Sequence, residues 1–179
     1  MNNFEIIIIS NPNLIINEAS IITALFDSGL ELFHIRKPLG TIVDIEKLLK
    51  NIPKEFHNKI VIHQHYKLTD YYDIKGIHIK KNNELITKHY NIISTSFHSF
   101  KELSNKNNYQ YVFLSPIFNS ISKENYNSRF TLTELKKASN QKIIDNKIIA
   151  LGGINSDNIG LIKELGFGGA AVLGYIWQK

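Results

Sequence analysis

Arg36 and Lys37 follow one short apolar run of the chain, and His63, Gln64 and His65 follow the next. Lys80 and Lys81 close a third run, which reads as a solvated turn, and Ser96 and His98 close a fourth. Ser120, Ser122 and Lys123 sit in a polar stretch after a fifth run, and Gly152, Gly153 and Gly174 follow the last two. Guanidinium, ammonium and hydroxyl groups hold phosphate or pyrophosphate, as do backbone N–H groups exposed by glycine turns. Acids are few at these positions. Imidazole adds metal ligation and proton transfer near neutral pH. His34, His63, His65, His78 and His98 all fall near the ends of apolar runs. His34 or His63 is the expected proton-transfer residue, His78 is expected to be structural, and no residue is assigned as a metal ligand. The chain has no cysteine, which excludes disulfides, thiol catalysis and cysteine metal sites.

The 179 residues suffice for one domain, expected over 1–179. At 43% hydrophobic and 21% charged the composition is that of an ordinary globular protein. No apolar run reaches the length of a membrane span, and Met1 to Ser10 lacks a basic n-region, so a cytoplasmic protein without a membrane partner is expected. A formal charge of +5 favours anionic small ligands and is modest for a nucleic-acid binder.

Eight apolar runs are expected to be strands: Phe4–Ser10, Leu30–Ile35, Lys59–Ile62, Gly76–Ile79, Asn91–Thr95, Tyr111–Leu114, Ile148–Leu151 and a last one ending at Gly174. Between them, Glu18–Asp27 predicts a helix with Ile21, Ile22, Leu25 and Phe26 inward, and Thr41–Asn51 one with Ile42, Ile45, Leu48 and Leu49 inward. Tyr66–Tyr72 and Phe100–Ser104 predict short helices, Lys80–His89 at most one, and Thr131–Ser139 another. After Gly152-Gly153, Asn155 or Ser156 is expected to cap a helix that stops at Gly166. Strands alternating with helices imply a parallel sheet, and eight βα units imply a (β/α)8 TIM barrel, here compact, with its late helices shortened or missing. An open doubly wound sheet is the alternative architecture. Barrel active sites lie at the carboxyl ends of the strands, where the polar residues above collect.

The segments LFHIRKP (32–38), KIVIHQHYKL (59–68), KGIHI (75–79), ISTSFHS (93–99), YVFLSPIFNSISK (111–123) and IIALGGINSDNIGLIKELGFGGAAVLG (148–174), in that order, resemble the thiamine phosphate synthases and the related TenI-type thiazole tautomerases. The resemblance implies a (β/α)8 barrel that takes part in thiamine biosynthesis. The implied transferase joins an aminomethylpyrimidine pyrophosphate to a thiazole phosphate with Mg²⁺, the pyrophosphate leaving first. It places Arg36, with Lys37 beside it, at the pyrophosphate, Ser96 and Lys123 in the catalytic set, and Ser120 and Ser122 on the motif hydroxyls. It also places Gly153 at the thiazole phosphate, with Gly152 and Gly174 as neighbouring turns and Gln64 on a substrate-contacting position. The chain departs from the family pattern at His34 for a glutamine and at His63-Gln64 for Asn-Asp. A second metal carboxylate falls near Asn83. Both Mg²⁺-binding carboxylates are thus amides, which counts against Mg²⁺ as cofactor. Pro116 stands where the tautomerases carry a catalytic histidine. The alternatives to a synthase are a tautomerase-type isomerase using His34 or His63 and a homologue that binds thiamine phosphates without turnover. Homo-oligomerisation is left open.

Overall fold

The computed structural model describes residues 4–80, 90–119 and 128–177. Lys81, Asn83, Ser120, Ser122 and Lys123 therefore lie outside the described residues, as does the helix considered for 81–89. Eight parallel strands are hydrogen-bonded in sequence order and close into a barrel. They are β1 (Glu5–Ile9), β2 (Leu32–Ile35), β3 (Ile60–Ile62), β4 (Gly76–Ile79), β5 (Ile92–Phe97), β6 (Tyr111–Leu114), β7 (Ile148–Leu151) and β8 (Gly169–Val172). The α-helices are α1 (Glu18–Asp27), α2 (Ile42–Lys50), α3 (Leu132–Asn140), α4 (Ile159–Glu164) and the one-turn α5 (Gly174–Trp177). The expected shortening is present in the six residues of α4 and the four of α5. Tighter 3-10 helices cover Lys54–Lys59, Tyr66–Asp70 and Phe100–Asn108, the first of them in a stretch where the sequence predicts no helix. Among the described residues no helix is long and apolar enough to cross a membrane.

The chain divides into two compact units, residues 7–93 and residues 1–6 with 94–179. In the first, β2, β3 and β4 are buried on both faces, as the strands of a parallel sheet are. Thr41 and Asp44 form a capping box at α2, each side chain accepting from the other's backbone N–H. Ile45, Leu48 and Leu49 then face inward, whereas Ile42 is 43% exposed because the first turn projects beyond the packed stripe. On α1 the buried line is Glu18, Ile22 and Phe26, at i, i+4 spacing, so the expected inward Ile21 is displaced outward and a glutamate takes its place.

In the second unit, Phe97, Val112, Leu114, Ile148, Ala150 and Ile162 are core residues. Thr131 and Glu134 cap α3 as Thr41 and Asp44 cap α2. The start of α4 differs from expectation: Asn155 accepts from the N–H groups of Asp157 and Asn158 in a turn, and the helix begins only after Asn158. An Asn side chain that satisfies its own turn competes with helix propagation.

Candidate active site

His34 of β2 is level with Val61 of β3, and Ile62 is level with Ile77 of β4. Continuing that register sets His63 beside His78, and residues two apart on a strand share a face. His34, His63 and His78 consequently meet. His34 Nδ1 lies 2.9 Å from His63 Nε2. The His63 and His78 rings stack with centroids 4.1 Å apart and planes at 19°, and the His34 centroid is 5.1 and 5.8 Å from theirs. His34 and His78 are buried and His63 is partly exposed. The Tyr66 hydroxyl shares its proton between the carbonyls of His63 and His78, 3.1 Å from each, and so ties the ends of β3 and β4 together.

Burial first, and neighbouring positive charge second, holds all three imidazoles neutral. Burial followed by His78 pushes His34 well below its ordinary range. Burial, His78, His34, Arg36 and Lys80 do the same to His63. Burial and then Arg36 lower His78 to about 3. None of them adds positive charge for an anion at neutral pH, and a strongly depressed pKa makes His34 or His63 a weak base there. His78, expected to be structural, is one of three clustered rings.

Arg36 follows β2 directly. The buried Ser10 hydroxyl accepts from the Arg36 N–H at 2.8 Å and donates to the Arg36 carbonyl at 3.0 Å, fixing the backbone from which the guanidinium leaves. Lys37 is a correction to the ligand set. Its ammonium is 0% exposed and donates to both Glu18 carboxylate oxygens and to the carbonyls of Asn11 and Asn13, so its donors are spent on protein. Gln64 Nε2 donates to the Lys37 carbonyl. His65 binds the Gly40 carbonyl at 2.8 Å, away from the three-histidine group.

In the second unit Ser96 is half-buried near the end of β5, level with Phe113 of β6. His98 Nδ1 is 2.8 Å from the Ser115 carbonyl, and the Ser115–Pro116 peptide that follows is cis. Gly152 and Gly153 have φ of +104° and +65°. A Cβ at Gly152 would stand 2.9 Å from Pro116 Cα, and one at Gly153 would run into the Asn119 carbonyl and the Phe118 backbone. These glycines let the chain pass under the 116–119 segment, whatever else they do. A side chain at Gly153 would therefore meet the fold itself before it met any ligand. Gly153→Val should cost more than about 2 kcal/mol, combining the left-handed penalty with the backbone clash; urea unfolding measures it, and a loss below about 0.5 kcal/mol would show that the segment yields. Gly174 opens α5. A cavity of ≈ 480 Å³ adjoins Gly153, lined by Ile117, Asn119, Phe130, Leu135 and Asn158. Ser128 closes its rim by donating to the Ile117 and Phe130 carbonyls, while its N–H donates to Asn119. Neither Asn119, Ser128 nor Asn158 stood out in the sequence, since isolated polar residues in a loop carry no periodic signal.

Residues 6–176 match the thiamine monophosphate synthase family. The chain belongs to this family. A thiamine-phosphate synthase from Prochlorococcus marinus is 29% identical over 151 residues, covering 78% of this chain and 42% of that protein. One from Limosilactobacillus reuteri is 20% identical over 146 residues, covering 76% and 67%. The chain thus spans less than half of the Prochlorococcus protein it matches. A solved structure described as thiamine phosphate pyrophosphorylase from Bacteroides thetaiotaomicron is similar with a TM-score of 0.86 and 42% identity over 97% of this chain and 85% of that one. A pyrophosphorylase from Pyrococcus furiosus shares the fold, with a TM-score of 0.72 at 18% identity and coverage of 96% and 86%.

Mg²⁺, which the family resemblance implies, asks for oxygen donors and usually for one or two carboxylates. Among the described residues the donor set does not fit it. Gln64 stands on one carboxylate position with its amide committed to Lys37, and Asn83 lies outside the described residues. Among the described residues the group able to hold an ion is the three histidines, which offer nitrogen.

Proposed function

We propose that this family member is a thiamine phosphate synthase-type transferase, joining a pyrimidine methyl pyrophosphate to a thiazole phosphate, with residues 1–179 acting as one domain. The family match over residues 6–176 carries this reading, and the Ser10 clamp that fixes Arg36 past β2 supports it. Breaking the carbon–oxygen bond to pyrophosphate leaves a pyrimidine cation, and a new bond to the thiazole nitrogen consumes it. The protein's task is to stabilise the departing anion. Arg36 does this with its bidentate fork, joined by Ser96 and by the Lys123 ammonium and the Ser120 and Ser122 hydroxyls. The turns at Gly152-Gly153 and Gly174 take the thiazole phosphate.

The test is coupling of both purified phosphates at high protein concentration, with chelator, with Mg²⁺ and with Zn²⁺. Thiamine phosphate should form. Tight binding of both substrates without product would instead identify a homologue that binds without turnover. Arg36→Lys should weaken pyrophosphate binding about tenfold, because lysine lacks the fork, and calorimetry at low salt would read it. Equal affinity in both proteins would place the anion elsewhere. In the wild type the affinity should fall as salt rises and change little when chelator replaces millimolar Mg²⁺.

A further inference from the structure

We propose that His34, His63 and His78 bind one first-row transition metal ion, with Zn²⁺ the expected occupant. One ring nitrogen from each lies within 4.8 Å of the others. Zn–N bonds of about 2.0–2.1 Å set tetrahedral N···N separations of roughly 3.3–3.4 Å. The hydrogen-bonded pair at 2.9 Å would open slightly and the third ring would swing inward, both by small side-chain rotations. The rings come from three adjacent strands, and Tyr66 ties two of those strands together beside the site. Rigid supports of this kind set ligand geometry.

Imidazole suits Zn²⁺, Ni²⁺, Cu²⁺ and Fe²⁺ and is a poor donor for Mg²⁺. Three histidines with a fourth position open is the donor count of a reactive zinc centre rather than a structural one. Metal binding needs neutral rings, and burial already keeps them neutral. His63 is partly exposed and gives an ion access. Arg36 and Lys80 act on His63 electrostatically and would oppose a bare dication. The fourth ligand should therefore be an anion, such as hydroxide or a phosphate oxygen.

The inference rests on the histidine geometry alone and stands whether or not coupling is observed. The experiment takes the chelator-treated chain and titrates it with Co²⁺, reading the visible absorption of a tetrahedral site, with Zn²⁺ as competitor. One Co²⁺ per chain is expected, displaced by Zn²⁺. His78→Gln and His63→Asn should each lose more than the roughly 10–100-fold that an outer-shell partner is worth, and Tyr66→Phe, which touches only the two backbone carbonyls, should lose less than either. Circular dichroism checks folding. Should His78→Gln fail to fold, His63→Asn decides alone, being the partly exposed member. Absence of the Co²⁺ spectrum in the wild type, or equal binding by wild type and His63→Asn, would overturn the proposal; the second result would place the ion on histidines such as His65 or His98.

Discussion

Lys37→Met should lower the free energy of unfolding by about 3–5 kcal/mol, the cost of leaving a buried charge without its partner. The Lys37 ammonium lies 2.6 and 2.5 Å from the two Glu18 oxygens and 2.8 and 2.7 Å from the carbonyls of Asn11 and Asn13. Both side chains are almost wholly buried, at 0% and 3% exposure, so solvent cannot replace what is lost. Burial already raises the Glu18 carboxyl above its usual range, against the opposing pull of Lys37, and lowers the Lys37 ammonium. Without Lys37 the Glu18 pKa rises further. A carboxyl with a raised folded-state pKa stabilises below its unfolded pKa, and that contribution is lost as pH climbs through the folded value. Lys37→Met should therefore be better tolerated near pH 5 than at pH 8. The double variant Lys37→Met with Glu18→Leu should recover most of the loss, since apolar pairs commonly replace buried ion pairs at little cost. Urea unfolding of the three proteins at both pH values is the measurement. A single-variant loss below about 1 kcal/mol would mean that water reaches Glu18.

The ion pair also shows where the sequence stops being informative. β4, β6, β7 and α1 begin and end where their apolar runs and stop signals put them, because each is fixed by residues within a few positions. Lys37 beside Arg36 reads as a second cation for the same ligand. Its partner is 19 residues earlier on α1, at a helix position where a glutamate ordinarily faces water. The histidines failed differently. His34, His63 and His78 were each visible near strand ends, but their meeting depends on the register of three strands, which no local pattern encodes. Gly152 and Gly153 were legible as a turn. That the turn must clear Pro116 and Asn119 is a tertiary fact. The 3-10 helix at Lys54–Lys59 was missed because a six-residue segment after Pro53 has too few apolar residues to show a period.

Acid should destabilise the chelator-treated protein steeply, and the same three histidines should be the reason. An imidazole with a depressed folded-state pKa stabilises fully above its unfolded pKa, near 6.5. That contribution is lost as pH falls through the folded value, because the unfolded chain takes up a proton the folded one refuses. For His78 the folded value is about 3. This ring alone is thus worth on the order of 5 kcal/mol at neutral pH relative to strong acid, at roughly 1.4 kcal/mol per pH unit. His34 and His63 shift in the same direction, so the slope between pH 6.5 and 4 should reflect more than one proton. Carboxylates titrate in the lower part of that window, which makes the comparison protein essential. His34→Gln with His63→Asn and His78→Gln removes the three rings and keeps polar side chains of similar reach. Its unfolding free energy should stay nearly flat from pH 7 to 5 while that of the wild type declines. Parallel curves over that interval would mean that the folded protein protonates the cluster as readily as the unfolded chain does, and that water or an acceptor in the fold reaches these rings.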